Sequence, residues 1–283
     1  MNKKNHRITS SHIGSFAMNL IVWLGGVLML LPFLWMVSSS FKTTEEIFQP
    51  ATFFPKGLSM FNYQQLFHTW PFSRWILNSL FAALLTTVVA LFITSLAGFA
   101  FAKYRFKGKQ KLFTGLLLST MIPFPILVVP LFVIISRLGL TNSIISLVLP
   151  FIAPPIGIFL MNQYAEYVPN ALLDSARIDG AGELRIFFQI ALPIMKPGLA
   201  SLGIITFINS WNNFLWPLIA IRKEIAMTLP IGMANMLTGV SAGSAPPYGP
   251  AMAASTLVCI PTVAIFLAVQ KYYIKGLTAG AVK

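Results

Sequence analysis

Two stretches carry functional groups suited to recognition chemistry. The first, DSARIDGAGELRIFFQIALP at 174–193, gathers Asp174, Arg177, Asp179, Glu183 and Arg185. It holds three of the seven acidic residues of the chain. Carboxylates and guanidinium groups so placed can pair with one another or with a partner protein. Asp174 and Arg177 stand three apart, which on a helix gives a pair worth only about 0.2–0.5 kcal/mol. The second stretch is WNNFLWPL at 211–218, preceded by Asn209. The amides of Asn209, Asn212 and Asn213 and the ring of Trp211 can hold a hydroxylated ligand. They can equally hydrogen-bond between membrane helices.

The remaining chemistry is ruled out by what the residues lack. The chain has no GxxxxGK[ST] stretch to cradle nucleotide phosphates. His6, His12 and His68 all fall outside the apolar runs, and no cluster of His, Cys, Asp and Glu has metal-ligand spacing. Cys259, the single cysteine, excludes an internal disulfide and reads as a small core residue. Hydrolysis inside the membrane has neither a carboxylate pair nor a nucleophile with a base beside it.

The elements that must position these groups are membrane helices. Of 283 residues, 56% are hydrophobic and 10% charged, against roughly 25% charged in soluble domains. Six apolar runs free of charge occur at about 16–37, 75–102, 112–136, 143–165, 199–221 and 250–270. Each is long enough to cross the hydrocarbon core as a helix. The first is too long for a signal-peptide core and lacks a small-residue cleavage site after it, so it is expected to stay as a span. The fold class expected is an all-α polytopic membrane protein of six transmembrane helices, forming a single domain over 1–283.

The net charge of +13 follows the loops, which points to topology and anionic lipid and gives no sign of nucleic acid. Fourteen basic residues flank runs on one side: Lys3, Lys4 and Arg7, the Lys103–Lys111 cluster, Arg177, Arg185 and Lys196, and Lys271, Lys275 and Lys283. Six lie on the other side. The positive-inside rule therefore predicts both termini and the 166–198 loop in the cytoplasm. The 39–74 and 222–249 segments are predicted outside, long enough to meet an external partner. Pro123, Pro125 and Pro130 in the third run, and Pro150, Pro154 and Pro155 in the fourth, predict broken or kinked helices that line a pathway or pack as kinked pairs.

Charge-free spans leave no proton or sodium relay. Energy for uphill movement must then enter through another subunit, and the 174–193 stretch is the place for it. Val168-Pro169-Asn170 starts a helix and Asp179-Gly180 ends it, with Gly180 in the left-handed position. Leu172, Leu173 and Ala176 form its inner side. A second short helix over about 182–191 places Leu184, Phe187, Phe188 and Ala191 inward, and Leu192-Pro193 ends it. The outcome is a helix–turn–helix on the membrane face, with a peg for a partner to grip.

At these residues the chain resembles the permease subunits of ABC importers. Their EAA-type loop is matched by Asp174-Ser175-Ala176, Gly180, Ile190 and Leu192-Pro193, and its sugar-importer form by Asp179-Gly180-Ala181. Asp174 and Ser175 depart from Glu and Ala of the family pattern. FAFAKYRFKGK at 99–109, WNNFLWPL, and KYYIKGLTAGAVK at 271–283 extend the resemblance to the maltose-type (MalG-like) carbohydrate branch. The resemblance implies a cytoplasmic coupling helix between spans four and five, with Asp174, Ser175, Ala176, Asp179, Gly180, Ala181, Ile190, Leu192 and Pro193 at its core. It implies a bacterial inner-membrane complex with a second permease, two ATP-binding subunits that hold ATP and Mg, and an extracytoplasmic sugar-binding protein. The chain itself would bind no cofactor. Asn209, Trp211, Asn212 and Asn213 would face the sugar path, and Lys275, Gly276 and Gly280 would form a second ATPase contact. An ion-coupled transporter or a membrane scaffold without an ATPase is the competing class. Charge-free spans speak against the first and the EAA-like loop against the second.

Overall fold

The computed structural model describes residues 5–49, 53–238 and 246–279, with side chains described from residue 18 onward to 265, and at 267. Among the described residues every regular element is a helix. They run α1 (Asn5–Ser39), α2 (Thr44–Phe48), α3 (Phe61–Thr69), α4 (Phe72–Lys103), α5 (Lys109–Ser119), α6 (Phe124–Arg137), α7 (Ile144–Val148) and α8 (Pro155–Glu166). The order continues with α9 (Asn170–Ile178), α10 (Glu183–Ile186), a π-helical stretch Phe187–Ala191, α11 (Leu192–Ile194), α12 (Lys196–Trp211), α13 (Leu215–Ala220), α14 (Leu229–Thr238) and α15 (Tyr248–Ala279).

Contacts sort the chain into two compact units. One is Met1–Trp70 with Met236–Cys259, and the other is Pro71–Asn235 with Ile260–Lys283. In the first unit, the chain leaving α1 is fastened by Asn62 of α3. Its Nδ2 donates to the carbonyls of Ser40 (2.9 Å) and Lys42 (2.7 Å). Tyr63 joins Ser40 through their hydroxyls at 2.8 Å. The described part of the 39–70 stretch, expected from sequence to be long enough to meet an external partner, holds two short helices, α2 and α3. Apart from Ser39 at its end, the spanning part of α1 buries nothing inside the chain, so its apolar surface suits lipid or another subunit.

In the second unit α4 is the mast, and α7, α8 and α12 pack along it. Gly98 permits the closest of these approaches, since a Cβ there would lie 2.6 Å from the backbone nitrogen of Asn162. One apolar seam joins Phe99, Met161, Leu173, Ile186, Phe187 and Leu202 near the C-terminal end of α4. Another joins Ala82, Ile135, Leu147, Trp216 and Ile231 towards its start. There the 222–229 segment is tied to α4. Trp75 Nε1 donates to Glu224 O and Asn78 Nδ2 to Ile225 O and Met227 O, each at 2.9 Å, while the Leu229 amide donates to Ser79 Oγ at 2.7 Å.

Among the described residues, three helices are long and apolar enough to cross a membrane: Met18–Ser39, Phe72–Lys103 and Tyr248–Ile265. Three further candidates are bent pairs. Lys109–Ser119 with Phe124–Arg137 bends by 103°, Ile144–Phe151 with Pro155–Glu166 by 52°, and Glu183–Ile194 with Lys196–Trp211 by 79°. The first two breaks fall at Pro123 and Pro154, the residues expected to cause them. Each proline precedes a new helix with extended ψ, 131° and 126°; its own nitrogen has no hydrogen to continue the preceding helix, and at Pro154 the ring of Pro155 also disfavours helical ψ. Pro130, by contrast, lies inside α6.

The fifth run differs from the sequence reading. A continuous helix over about 199–221 was expected, but α12 stops at Trp211 and α13 starts at Leu215. Asn213 stabilises the break by accepting the Trp216 amide on Oδ1 at 3.4 Å. Beyond it, Trp216 is fully buried and donates Nε1 to Ser146 O at 2.7 Å.

Candidate functional site: the 166–198 connection

The connection between α8 and α12 builds a firm, partly exposed projection. Pro169 (ψ 131°) precedes α9, and Asp179 closes it. Gly180 then takes φ 81°. The Gly180 amide donates to Arg177 O at 3.0 Å and the Ala181 amide to Ala176 O at 2.9 Å. These two bonds are the Schellman pair that satisfies the last carbonyls of a helix. The turn is therefore set by backbone chemistry that needs positive φ at Gly180.

Leu173 (2% exposed) and Ala176 anchor α9 in the seam with Phe99 and Met161. Removing such a side chain from water contributes about 1.5–3 kcal/mol. Leu172, expected beside them, is exposed. The second helix also differs from expectation. It is α only over Glu183–Ile186 and then widens into the π-helical stretch, so its inner residues are Ile186, Phe187, Ala191 and Met195. Leu184 and Phe188 turn out, Leu184 being 68% exposed and Phe188 stacking on Phe92 at 6.5 Å. Leu192-Pro193 does not end the helix but opens α11. Ile190 and Leu192 pack on the seam from its edge.

The outer surface of the projection carries Asp174, Ser175, Ile178 (87% exposed), Asp179 and Leu184. Ala181 is half-buried and Pro193 exposed. An ionic chain runs across it. Arg177 Nη1 donates to Asp174 Oδ1 at 2.9 Å, and Arg177 Nε to Glu183 Oε1 at 2.8 Å. Sequence spacing anticipated the first pair only. The hydrogen bonds from Arg177, followed by that from Tyr104, hold the Glu183 carboxyl below the usual carboxylate range. Burial, then the Glu183 carboxylate, pushes the Tyr104 phenol up to about 12.

A carboxyl with a depressed pKa stabilises the fold above its ordinary value and ceases to do so as pH falls through the folded one. The melting-temperature gap between wild type and Glu183→Gln is therefore expected to be full at neutral pH. It should close as pH drops below about 4.5, the ordinary value for this group. Melting curves of the purified chain across pH check this.

Of the second stretch, the structure brings Asn209 and Asn213 together and leaves Trp211 and Asn212 apart. Asn209, Ser210 and Asn213 line a cleft with Thr86 of α4 and Thr206 of α12. Thr86 is fully buried, and its hydroxyl has no hydrogen-bond partner among the described residues. Trp211 is buried and stacks on Phe207 at 6.0 Å, while Asn212 is exposed and lines no part of the cleft. Thr86, Thr206 and Ser210 were not singled out from sequence. Their signal was small polar residues inside otherwise apolar runs. Lys275 and Gly276 lie in the final turns of α15, and Gly280 lies outside the described residues. Among the described residues no three His, Cys, Asp or Glu side chains converge to hold a metal.

Apolar helices bent at defined breaks, together with a fixed polar projection between two of them, define the class: a multi-pass helical membrane protein. Comparison with known proteins is specific. The family described as binding-protein-dependent transport system inner membrane component matches residues 90–278. The arabinooligosaccharides transport system permease protein AraQ of Bacillus subtilis is 38% identical over 94% of this chain and 95% of its own length. The lactose transport system permease protein LacG of Rhizobium radiobacter is 34% identical over 93% and 94%. A chain of a bacterial ABC transporter that imports the acidic polysaccharide alginate shares the fold, with a TM-score of 0.84 at 21% identity over 93% of this chain and 98% of that one. The chain belongs to the binding-protein-dependent transport system inner membrane component family. It is a permease subunit of an ABC importer, a transport component that leaves ATP hydrolysis to partner subunits.

Proposed function

We propose that this permease carries a sugar or oligosaccharide and forms half of a two-permease pathway, as a single transmembrane domain over 1–283. In this reading the first two bent pairs each count as one span and the 199–221 run, α12 with α13, supplies the fifth, giving six, with both termini and the 166–198 connection in the cytoplasm of a bacterial cell. Basic residues concentrated on that side support the orientation. The substrate class rests on relatives named for arabinooligosaccharides and lactose.

The 170–183 projection, in this reading, is the coupling element that enters a cleft on one of two ATPase subunits. ATP and Mg reside on those subunits and this chain binds no cofactor. Closure of the ATPase dimer draws the two projections together and opens the bundle outward, where an extracytoplasmic binding protein delivers the sugar. The observation that carries the proposal is the division of α9 into two faces. Leu173 and Ala176 lock one into the seam, while Asp174, Ser175, Ile178 and Asp179 are exposed on the other, held at a set angle by Gly180. A rigid element with a buried root and an exposed tip transmits displacement instead of absorbing it.

Asn209 and Asn213, with Thr86 and Thr206, are proposed to face the sugar path, since hydroxyls and amides in a cleft replace water around a sugar. Trp211 and Asn212 lie away from that cleft, which leaves the two asparagines as the stronger pair. The C-terminal contact through Lys275, Gly276 and Gly280 stays part of the proposal on sequence resemblance alone.

Affinity purification of the chain from its own membrane tests the assembly. A second permease and an ATP-binding subunit are expected at a ratio of one to two. Recovery of the chain without any ATP-binding subunit would overturn the proposal.

A further inference from the structure

Two adjacent residues at the end of α4 reach both ends of α9. Lys103 Nζ donates to Val168 O at 2.6 Å and to Asn170 Oδ1 at 3.1 Å, at the start of α9, and to Glu166 O at 3.4 Å. The next residue, Tyr104, donates its hydroxyl to Glu183 Oε2 at the far side of the Gly180 turn. Glu183 in turn receives Arg177 of α9. The Tyr104 ring stands edge-on to Phe99 at 5.8 Å, and Phe99 meets Phe187 at 5.4 Å. Tyr104 O also accepts Lys109 Nζ at 3.2 Å, which folds the following turn back on it.

We propose that Lys103 and Tyr104 are positioning residues that latch α4 to the 170–183 projection, with the Tyr104–Glu183 hydrogen bond as the catch. The inference rests on the coupling reading given above. By chain connection alone, α9 is joined only to α8 and, through α10 and α11, to α12. Displacement of α9 would then reach α4 through apolar contacts such as those at Phe99, which slide. Directional hydrogen bonds do not slide. They fix the distance between the tip of the projection and the last turn of the mast on which α7, α8 and α12 pack. A half-buried phenol donating a hydrogen bond to a carboxylate is a strong pairing of this type. Its raised pKa keeps the donor hydrogen in place at neutral pH. The Arg177 guanidinium holds Glu183 ionised to receive it.

The test uses the assembled importer in lipid, with sugar uptake and ATP hydrolysis measured together. Tyr104→Phe removes the hydroxyl and keeps the ring on Phe99. Uptake per ATP hydrolysed is expected to fall about threefold or more, with the melting temperature of the complex unchanged. Glu183→Gln combined with Tyr104→Phe is expected to be no worse in this ratio than the poorer single variant, as for two residues acting through one bond. An unchanged ratio in Tyr104→Phe overturns the latch, and so does a lowered melting temperature with an unchanged ratio, which marks packing only. Gly180→Val run beside them separates the two levels. If it too transports normally, the coupling reading itself fails. If it uncouples while Tyr104→Phe behaves as wild type, the latch alone is lost.

Discussion

Gly98→Leu is expected to prevent assembly of the second unit, and Gly98→Ala to weaken it. A Cβ at Gly98 would stand 2.6 Å from Asn162 N and 2.7 Å from the Met161 carbonyl carbon. Both obstacles are backbone, so no rotamer change relieves them. The helices themselves must part, and α4 touches α8 more extensively than any other helix. Overpacking a close contact costs about 1–3 kcal/mol for one added group, which sets the scale for alanine. Leucine adds three more carbons in the same gap. Separation also weakens the Phe99–Met161 seam in which the 170–178 helix is rooted, so transport should fall with stability. Melting temperature and folded yield in detergent are the measurements. A leucine variant that melts like wild type would refute the close packing of α4 on α8.

Gly180→Val is expected to act in a different manner, sharply lowering transport with a loss of stability confined to the turn. Nothing lies within 4 Å of a Cβ placed at this residue, so bulk alone is harmless. The obstacle is φ of 81°. A left-handed conformation costs an ordinary residue roughly 1–2 kcal/mol, and a β-branched one more. Valine relaxes by rotating the turn, which breaks the Ala181–Ala176 and Gly180–Arg177 bonds and swings α9 against α10. At about 1.4 kcal/mol per factor of ten, uptake is expected to fall at least about tenfold. Gly180→Asn, whose short side chain tolerates the left-handed region, is expected to keep most of the activity. Equal loss in both variants would show that the side chain's presence, not the backbone angle, causes the defect.

Much of this was legible in the sequence because the bilayer restricts what apolar runs can become. Breaks at Pro123 and Pro154 were readable, since proline removes a donor wherever it stands. The break after Trp211 was not. Asn212-Asn213 sits in a run with no proline until Pro217, and the stop depends on Asn213 reaching the Trp216 amide. That signal, a side-chain acceptor three residues before a helical amide, was present but looked like a ligand group. The turn at Gly180 was readable from Asp-Gly following a helical pattern. The inward faces were only half readable. A period of 3.6 put Leu184 and Phe188 inside, whereas the π-helical stretch shifts the stripe to Ile186, Phe187, Ala191 and Met195. Tyr104 could not be found at all, because its partner Glu183 lies 79 residues away and no local spacing relates them.

The most direct measurement is ATPase activity of the purified complex in lipid, for wild type and Asp174→Lys, across binding proteins loaded with different sugars. The exposed Asp174 side chain and its pairing with Arg177 lie on the face assigned to the ATPase. The account predicts that one loaded binding protein stimulates the wild type, and that Asp174→Lys loses this stimulation while remaining folded. Stimulation that is equal in the two proteins would contradict the placement of the coupling element at 170–183.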